Sequence, residues 1–204
     1  MIKWLVRLGS AVGLLLIAFV GVMVLLGGGR NVATTEAEIE IDRPAAAVFP
    51  FLTDGPSLLK WIHGMESFQS TDEPKVGGRA QVVMVIGGRR QELTSETLAM
   101  VPPQSLTIRL EHAEFVDDID YKLVEHDGPT GKTTTLHQRS LAHYNSLVLR
   151  LLTPLFAPDV EHAMKANLAT LKGLVERGPV LKTPRPMPGQ TGFHGCCAPE
   201  LPSH

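Results

Sequence analysis

Between Ser146 and Arg177 apolar residues recur at helical spacing, with polar residues falling between them. From Asp159 onward Val160, Met164, Leu168, Leu171 and Val175 stand three to four apart, or nearly so, and share one face of a helix. Asp159 is suited to cap that helix, while Arg177, Gly178 and Pro179 supply a basic last turn, a terminating glycine and a proline beyond it. Leu147, Val148, Leu151 and Leu152 start the apolar face earlier, but Pro154 and Pro158 each lack a backbone donor, which predicts a kink or break and two helical pieces on one axis. A lone helix cannot bury its own stripe. The strands that precede it are the natural cover, as a curved antiparallel sheet gripping the helix.

Those strands are read from period-two patterning. Ala33 to Ile41 sets Ala37, Ile39 and Ile41 against Glu36, Glu38 and Glu40. Asp42-Arg43-Pro44 then turns the chain into a short helix from Ala45 to Leu52, with Asp42 or Arg43 near its cap. Thr53-Asp54-Gly55-Pro56 breaks it before a second short helix, Ser57 to Trp61. Glu66 to Ser70 is a weak strand. Arg79 to Ile86 is a strong one, whose continuous apolar run predicts burial on both faces or proximity to a membrane. Gly87-Gly88 is a two-residue hairpin signal that pairs it with Arg89 to Met100. Gln104 to His112, the strand carrying Phe115, Ile119, Tyr121 and Leu123, and Thr133 to Tyr144 complete the series, giving one strand, two short helices, six strands and one long helix.

The first thirty residues form a separate object. No charged residue occurs from Leu8 to Gly29, a length that approaches the ~20 residues needed to cross a bilayer. The apolar core of a cleaved signal peptide is about 7–15 residues and ends at a small-residue site; this run is longer and no such site follows. Lys3 and Arg7 against Arg30 place the N-terminus inside, so the sequence predicts a single-pass anchor in the cytoplasmic membrane with the domain on its outer side. The expected division is an anchor over 1–32, a domain over 33–177 and a proline-rich, unpacked extension over 178–204.

Composition narrows the function. The chain has 204 residues and a net charge of -2, which gives no basis for a nucleic-acid partner. Seven Phe, two Trp and two Tyr leave the core mostly aliphatic. Among eight histidines, His112, His126, His137 and His143 are scattered over strands and turns without the paired spacing of a zinc site, and no cofactor is expected. The only cysteines, Cys196 and Cys197, adjoin His194 in the extension; adjacent cysteines rarely bridge each other, so a reduced, intermolecular or metal-bound state is the alternative to an inert tail. Nothing in the pattern sets the oligomeric state.

Taken in order, Ile41-Asp42-Arg43-Pro44 with Val48-Phe49, Gly77-Gly78-Arg79 at a strand entry, Val101-Pro102-Pro103 before Leu106, and the helix from Leu151-Leu152-Thr153-Pro154-Leu155-Phe156 to Val175 resemble the START-like helix-grip superfamily, often called SRPBCC. More narrowly they resemble its polyketide cyclase/dehydrase and lipid-transport branch, over residues 33–177. The resemblance implies an α+β fold: a seven-stranded antiparallel sheet wrapped around the C-terminal helix, with an apolar cavity between them. It implies a fold more firmly than an activity, since such folds host both enzymes and carriers.

By alternation the candidate ligand-binding residues are Met84, Leu106, Ile108, Leu110, Tyr121 and Leu136 from strands, and Met164, Leu168 and Leu171 from the helix. His112, two residues after Leu110, joins them as a group able to bond the Tyr121 hydroxyl or to act as a base, and Asp117 shares the strand face of Tyr121. No catalytic residue is assigned, since nucleophile elbow, phosphate loop and paired-carboxylate motifs are all lacking. The expected function is a membrane-anchored binder of a small hydrophobic ligand, lipid or polyketide-like, without catalysis. The alternatives are a cyclase/dehydrase-like enzyme and a tethered interaction module with a vestigial cavity. If the domain boundary is right, a chain lacking its first thirty residues remains soluble and melts cooperatively; aggregation without detergent would count against it.

Overall fold

The computed structural model describes residues 2–25, 31–70, 74–129 and 131–178, with the side chains of 2–9, 147 and 156 excepted. The His194, Cys196 and Cys197 cluster and the rest of the proline-rich extension beyond Gly178 lie outside the described residues. In chain order the elements are α1 (Ile2–Leu25), β1 (Val32–Ile41), α2 (Ala45–Val48), α3 (Pro50–Thr53), α4 (Gly55–Trp61), β2 (Met65–Ser70), β3 (Arg79–Ile86), β4 (Arg89–Val101), β5 (Ser105–Glu111), β6 (Phe115–Gly128), β7 (Gly131–Tyr144) and α5 (Leu147–Arg177).

All seven strands form one antiparallel sheet in the order β1-β7-β6-β5-β4-β3-β2. The β3–β4 hairpin turns on Gly87 and Gly88, both at positive φ (57° and 74°), the conformation that a two-residue turn of this hand demands. Alternation assigns the faces. On β1, Ala37 and Ile41 point inward and are buried, while Glu36, Glu38 and Glu40 face water opposite Arg139, His137 and Thr135 of β7. That outer face carries ion pairs across strands, including the two-pronged contact of Arg109 with Asp118 (2.7 and 2.8 Å) and the contacts of His137 with Glu38 (3.1 Å) and His126 with Glu40 (3.4 Å). The expected burial of β3 on both faces is not found: Val82 is buried, but Val85 and Ile86 are exposed, because this end of the strand runs out to the hairpin tip near the sheet edge.

The long helix is gripped by its C-terminal half. Met164, Leu168, Leu171 and Val175 are buried in one cluster with Ala37, Ile41, Trp61, Tyr121 and Leu136. Val160, the first position of the expected stripe, is exposed. Two further expectations are corrected. Asp159 is not the N-cap; the helix starts after Ser146, so Asp159 lies in its interior. Nor do the prolines break it: Pro154 and Pro158 remove only two donors from a 31-residue helix, in the half that remains partly exposed, where freed carbonyls stay within reach of water. The other end is fastened by polar contacts. Arg43 donates to the Glu176 carbonyl at 2.6 Å, the Asp42 amide donates to the Glu176 carboxylate at 2.9 Å, and Lys172 donates to the Glu40 carbonyl at 2.7 Å. A guanidinium on a late carbonyl also complements the negative end of the helix dipole.

The first short helix is split at Phe49 into α2 and α3, and Pro44, rather than Asp42 or Arg43, occupies the cap of α2. Asp54 caps α4, accepting the Ser57 amide at 3.0 Å. α1 touches α5 and buries Met23, while Leu14, Leu15, Leu16 and Ile17 are exposed. Among the described residues no helix is long and apolar enough to cross a membrane.

With Leu168 buried in the grip, Leu168→Ala should destabilise the fold by about 2–5 kcal/mol in denaturant unfolding, the usual cost of emptying a buried leucine site. A change below ~0.5 kcal/mol would mean that the helix face is not buried in solution.

Candidate functional site

A cleft of about 400 Å³ opens between α3, α4, the segment leading into β3, and the inner faces of β3, β4 and β5. Its apolar wall comprises Leu52 and Leu58 from the short helices, Phe68 from β2, Met100 from β4, and Leu106 and Ile108 from β5. Thr97 and Met100 both line it although their spacing is odd, because the register of β4 shifts between Thr97 and Ala99 and the bulge returns Met100 to the inner face. Gly55 is required for the close approach of α4: a Cβ there would lie 2.7 Å from the Phe68 ring. α4 itself is seated by Trp61, whose indole donates to the Phe51 carbonyl at 2.9 Å and meets Tyr121 edge-on at 6.5 Å.

The charged groups at this cleft are already engaged. Asp54 holds the Ser57 amide, and Arg79 forms a 2.8 Å ion pair with Glu96. Ser95 and Thr97 add hydroxyls to the floor. Among the described residues no group of three or more His, Cys, Asp or Glu is placed to hold a metal ion.

Of the residues expected to line a cavity, Leu106 and Ile108 do so here. Leu136, Met164, Leu168 and Leu171 lie in the sealed core instead. Met84 is half-buried on β3 between Met65 and Gln91, away from the cleft. Leu110 is half-buried further along β5, packed on the edge of the core. The proposed contact between Tyr121 and His112 does not form. Tyr121 pairs with Leu106, six residues from His112, so about 20 Å of strand separates them. His112 is half-buried, its ring 5.3 Å from that of Phe115 and its Nδ1 accepting the Glu114 amide at 3.3 Å.

Sequence reasoning passed over two inward positions of β7, Gln138 and Ser140, although alternation from Leu136 points to both. They are buried, and Ser140 donates to Asp117 at 2.7 Å. Burial pushes the Asp117 carboxyl above its ordinary range, with the charge of Asp118 adding to the shift; the bonds from Ser140 and from the Leu141 amide offset it only in part. Burial likewise pushes the phenols of Tyr121 and Tyr144 upward, and the Asp117 charge contributes to both. Asp117 therefore sits on the inner face with the two tyrosines, as a carboxyl that holds its proton unusually well.

A raised carboxyl binds its proton more tightly in the folded state, so its contribution to stability is complete below the ordinary value of 3.8 and is lost as the pH rises through the folded value. Asp117→Asn keeps an acceptor for Ser140 and removes the buried charge. It should melt higher than the unmodified chain at pH 7, the gap closing below about pH 4 in a series of thermal melts. A gap that does not change with pH would contradict the assignment.

No curated protein sequence matches this chain. Among solved structures, Ara h 8.0201 superposes with a TM-score of 0.53 at 18% identity, covering 71% of this chain and 97% of its own. Protein NE0264 from Nitrosomonas europaea gives 0.52 at 16% identity, covering 70% and 94%. SA2116 from Staphylococcus aureus, described as a protein of unknown function, gives 0.53 at 16% identity, covering 71% and 95%. At these identities the likeness speaks for the helix-grip fold. The family model described as polyketide cyclase/dehydrase and lipid transport matches residues 32–176, nearly the span from the start of β1 to the end of α5, and the chain belongs to that family.

Proposed function

We propose that this protein binds a small hydrophobic ligand, lipid or polyketide-like, within the helix grip and performs no chemistry on it. The observation that carries this reading is the cleft itself: about 400 Å³, within the usual range of small-molecule sites, with an apolar wall and rim charges already paired within the protein. Membership of a family whose description includes lipid transport agrees with it.

The anchoring of the domain to the outer side of the cytoplasmic membrane belongs to the same proposal. Its support is the uncharged run from Leu8 to Gly29, the helical course of α1 over Ile2–Leu25, and the exposed apolar side chains of Leu14, Leu15, Leu16 and Ile17. A second reading, an acid–base enzyme of the cyclase/dehydrase type, draws on Asp117, whose raised proton affinity on the inner face is the property a general acid needs.

Mass spectrometry of organic extracts from the purified full-length chain should recover an apolar small molecule at near-stoichiometric amount. Ile108→Trp, which fills part of the cleft, should reduce that recovery at least tenfold while the variant still melts cooperatively. Equal recovery from both proteins would place the ligand elsewhere, and an empty extract together with no binding of any fluorescent lipid would favour an interaction module. Substrate turnover abolished by Asp117→Asn would favour the enzyme.

A further inference from the structure

The grip is closed at one end and open at the other. Towards the C-terminus of α5, the inner-face residues Leu106, Tyr121 and Leu136 are all buried in one cluster with Leu168 and Leu171. Four to eight residues along the same strands, Leu110, Asp117, Ala142 and Tyr144 are only half-buried, where the first half of α5 is itself half-exposed from Leu149 to Pro154 and exposed from Ala157 to Ala163. Gln138 and Ser140 lie at the boundary between the two regimes.

Gln138 is anomalous there. It occupies an inward position of β7, between Ala37 of β1 and Tyr121 of β6, and it is 8% exposed. Its Oε1 is sealed from solvent and has no hydrogen-bond partner among the described residues. A buried amide oxygen without a donor is destabilising, and an apolar side chain of the same length would fill the position without that penalty. Two residues on, Ser140 has turned its hydroxyl to Asp117 and so is not the missing donor. None of these three residues lines the cleft, but Ser140 stands in the row Ile108–Ile119–Ser140, two strand spacings or about 10 Å from the cleft floor.

We propose that the boundary between the closed and open ends of the grip is a recognition point for a hydrogen-bond donor, an O–H or N–H on an otherwise apolar ligand that enters from the open end, with Gln138 Oε1 as the acceptor and the Asp117–Ser140 pair beside it. This rests on the ligand-binding reading above and narrows it: the ligand is amphipathic, of the hydroxylated-ring or long-chain alcohol kind, rather than a pure hydrocarbon. The apolar body lies along Ile108 and Leu110, and the polar head reaches across to β7. The raised proton affinity of Asp117 agrees with a carboxyl that, when neutral, offers both donor and acceptor to such a head group.

The test uses the full-length chain and three probes of one shape at neutral pH, followed by fluorescence titration: 2-naphthol, which donates; 2-methoxynaphthalene, which can only accept; and 2-methylnaphthalene, which does neither. The expected result is that 2-naphthol binds at least tenfold more tightly than either other probe, and that Gln138→Met brings all three to the affinity of 2-methylnaphthalene. Should Gln138→Met fail to melt cooperatively, the ranking of the three probes on the unmodified protein decides alone. Equal saturable binding of all three overturns the inference and leaves the ligand-binding reading standing; a trapped water serving Gln138 would give that result. Binding of 2-methoxynaphthalene as tight as that of 2-naphthol overturns the assignment of Gln138 as acceptor. No saturable binding of any probe overturns the ligand-binding reading and this inference with it.

Discussion

Burial of the helical stripe Met164, Leu168, Leu171 and Val175 against the inward residues of β1, β7 and β6 is the interaction on which the rest of the domain depends. A stripe repeating every three to four residues meets faces repeating every two, and the sheet accommodates it by curving around the helix. The polar fastening at Arg43, Asp42 and Glu176 then fixes the axial position of α5, and Asn167 accepts the His63 amide at 3.0 Å, tying α4 to the same helix. From α4 the constraint passes through Trp61 to Tyr121 and Phe51, and so to the outer wall of the cleft. The shape of the site is set by contacts that are not themselves part of it.

The sheet separates two chemistries by alternation alone. Its convex face is occupied by cross-strand pairs such as Arg139 with Glu36, Arg109 with Asp118 and His137 with Glu38, whose charges are satisfied by one another and by water. Its concave face is aliphatic apart from a few positions, and there the polar residues stand out, among them Ser95, Thr97, Thr134, Gln138, Ser140 and Asp117. On the ligand-binding proposal, the apolar face takes up the body of the ligand and these few polar side chains supply the contrast between ligands.

Much of this architecture was legible beforehand because it is written in short-range periods. The Glu36, Glu38, Glu40 alternation, the Gly87-Gly88 hairpin and the Gly178 stop correspond to β1, the β3–β4 turn and the end of α5. The start of α5 after Ser146 was legible from the apolar spacing, but its continuity was not, since two prolines fall inside a helix that tolerates them. The cleft was legible only through Leu106 and Ile108. Its other walls come from the turn at Thr53 to Pro56, the segment from Pro74 to Arg79, and a bulge in β4, none of which leaves a periodic trace. Gln138 and Ser140 follow from the alternation rule, two and four residues after inward Leu136, but they are neither apolar nor titratable, the two properties that mark the other inward candidates.

The N-terminus of β1, the C-terminus of β7 and the first turn of α5 all lie at the open end of the grip, and α1 rests on α5 rather than on the sheet. The half-buried side chains of Leu110, Asp117 and Tyr144 therefore lie towards the end of the domain that α5 and α1 share, away from the contacts of Glu176. On the ligand-binding proposal, loading and release are local events at that pole, opposite the contacts of Arg43 and Asp42 with Glu176.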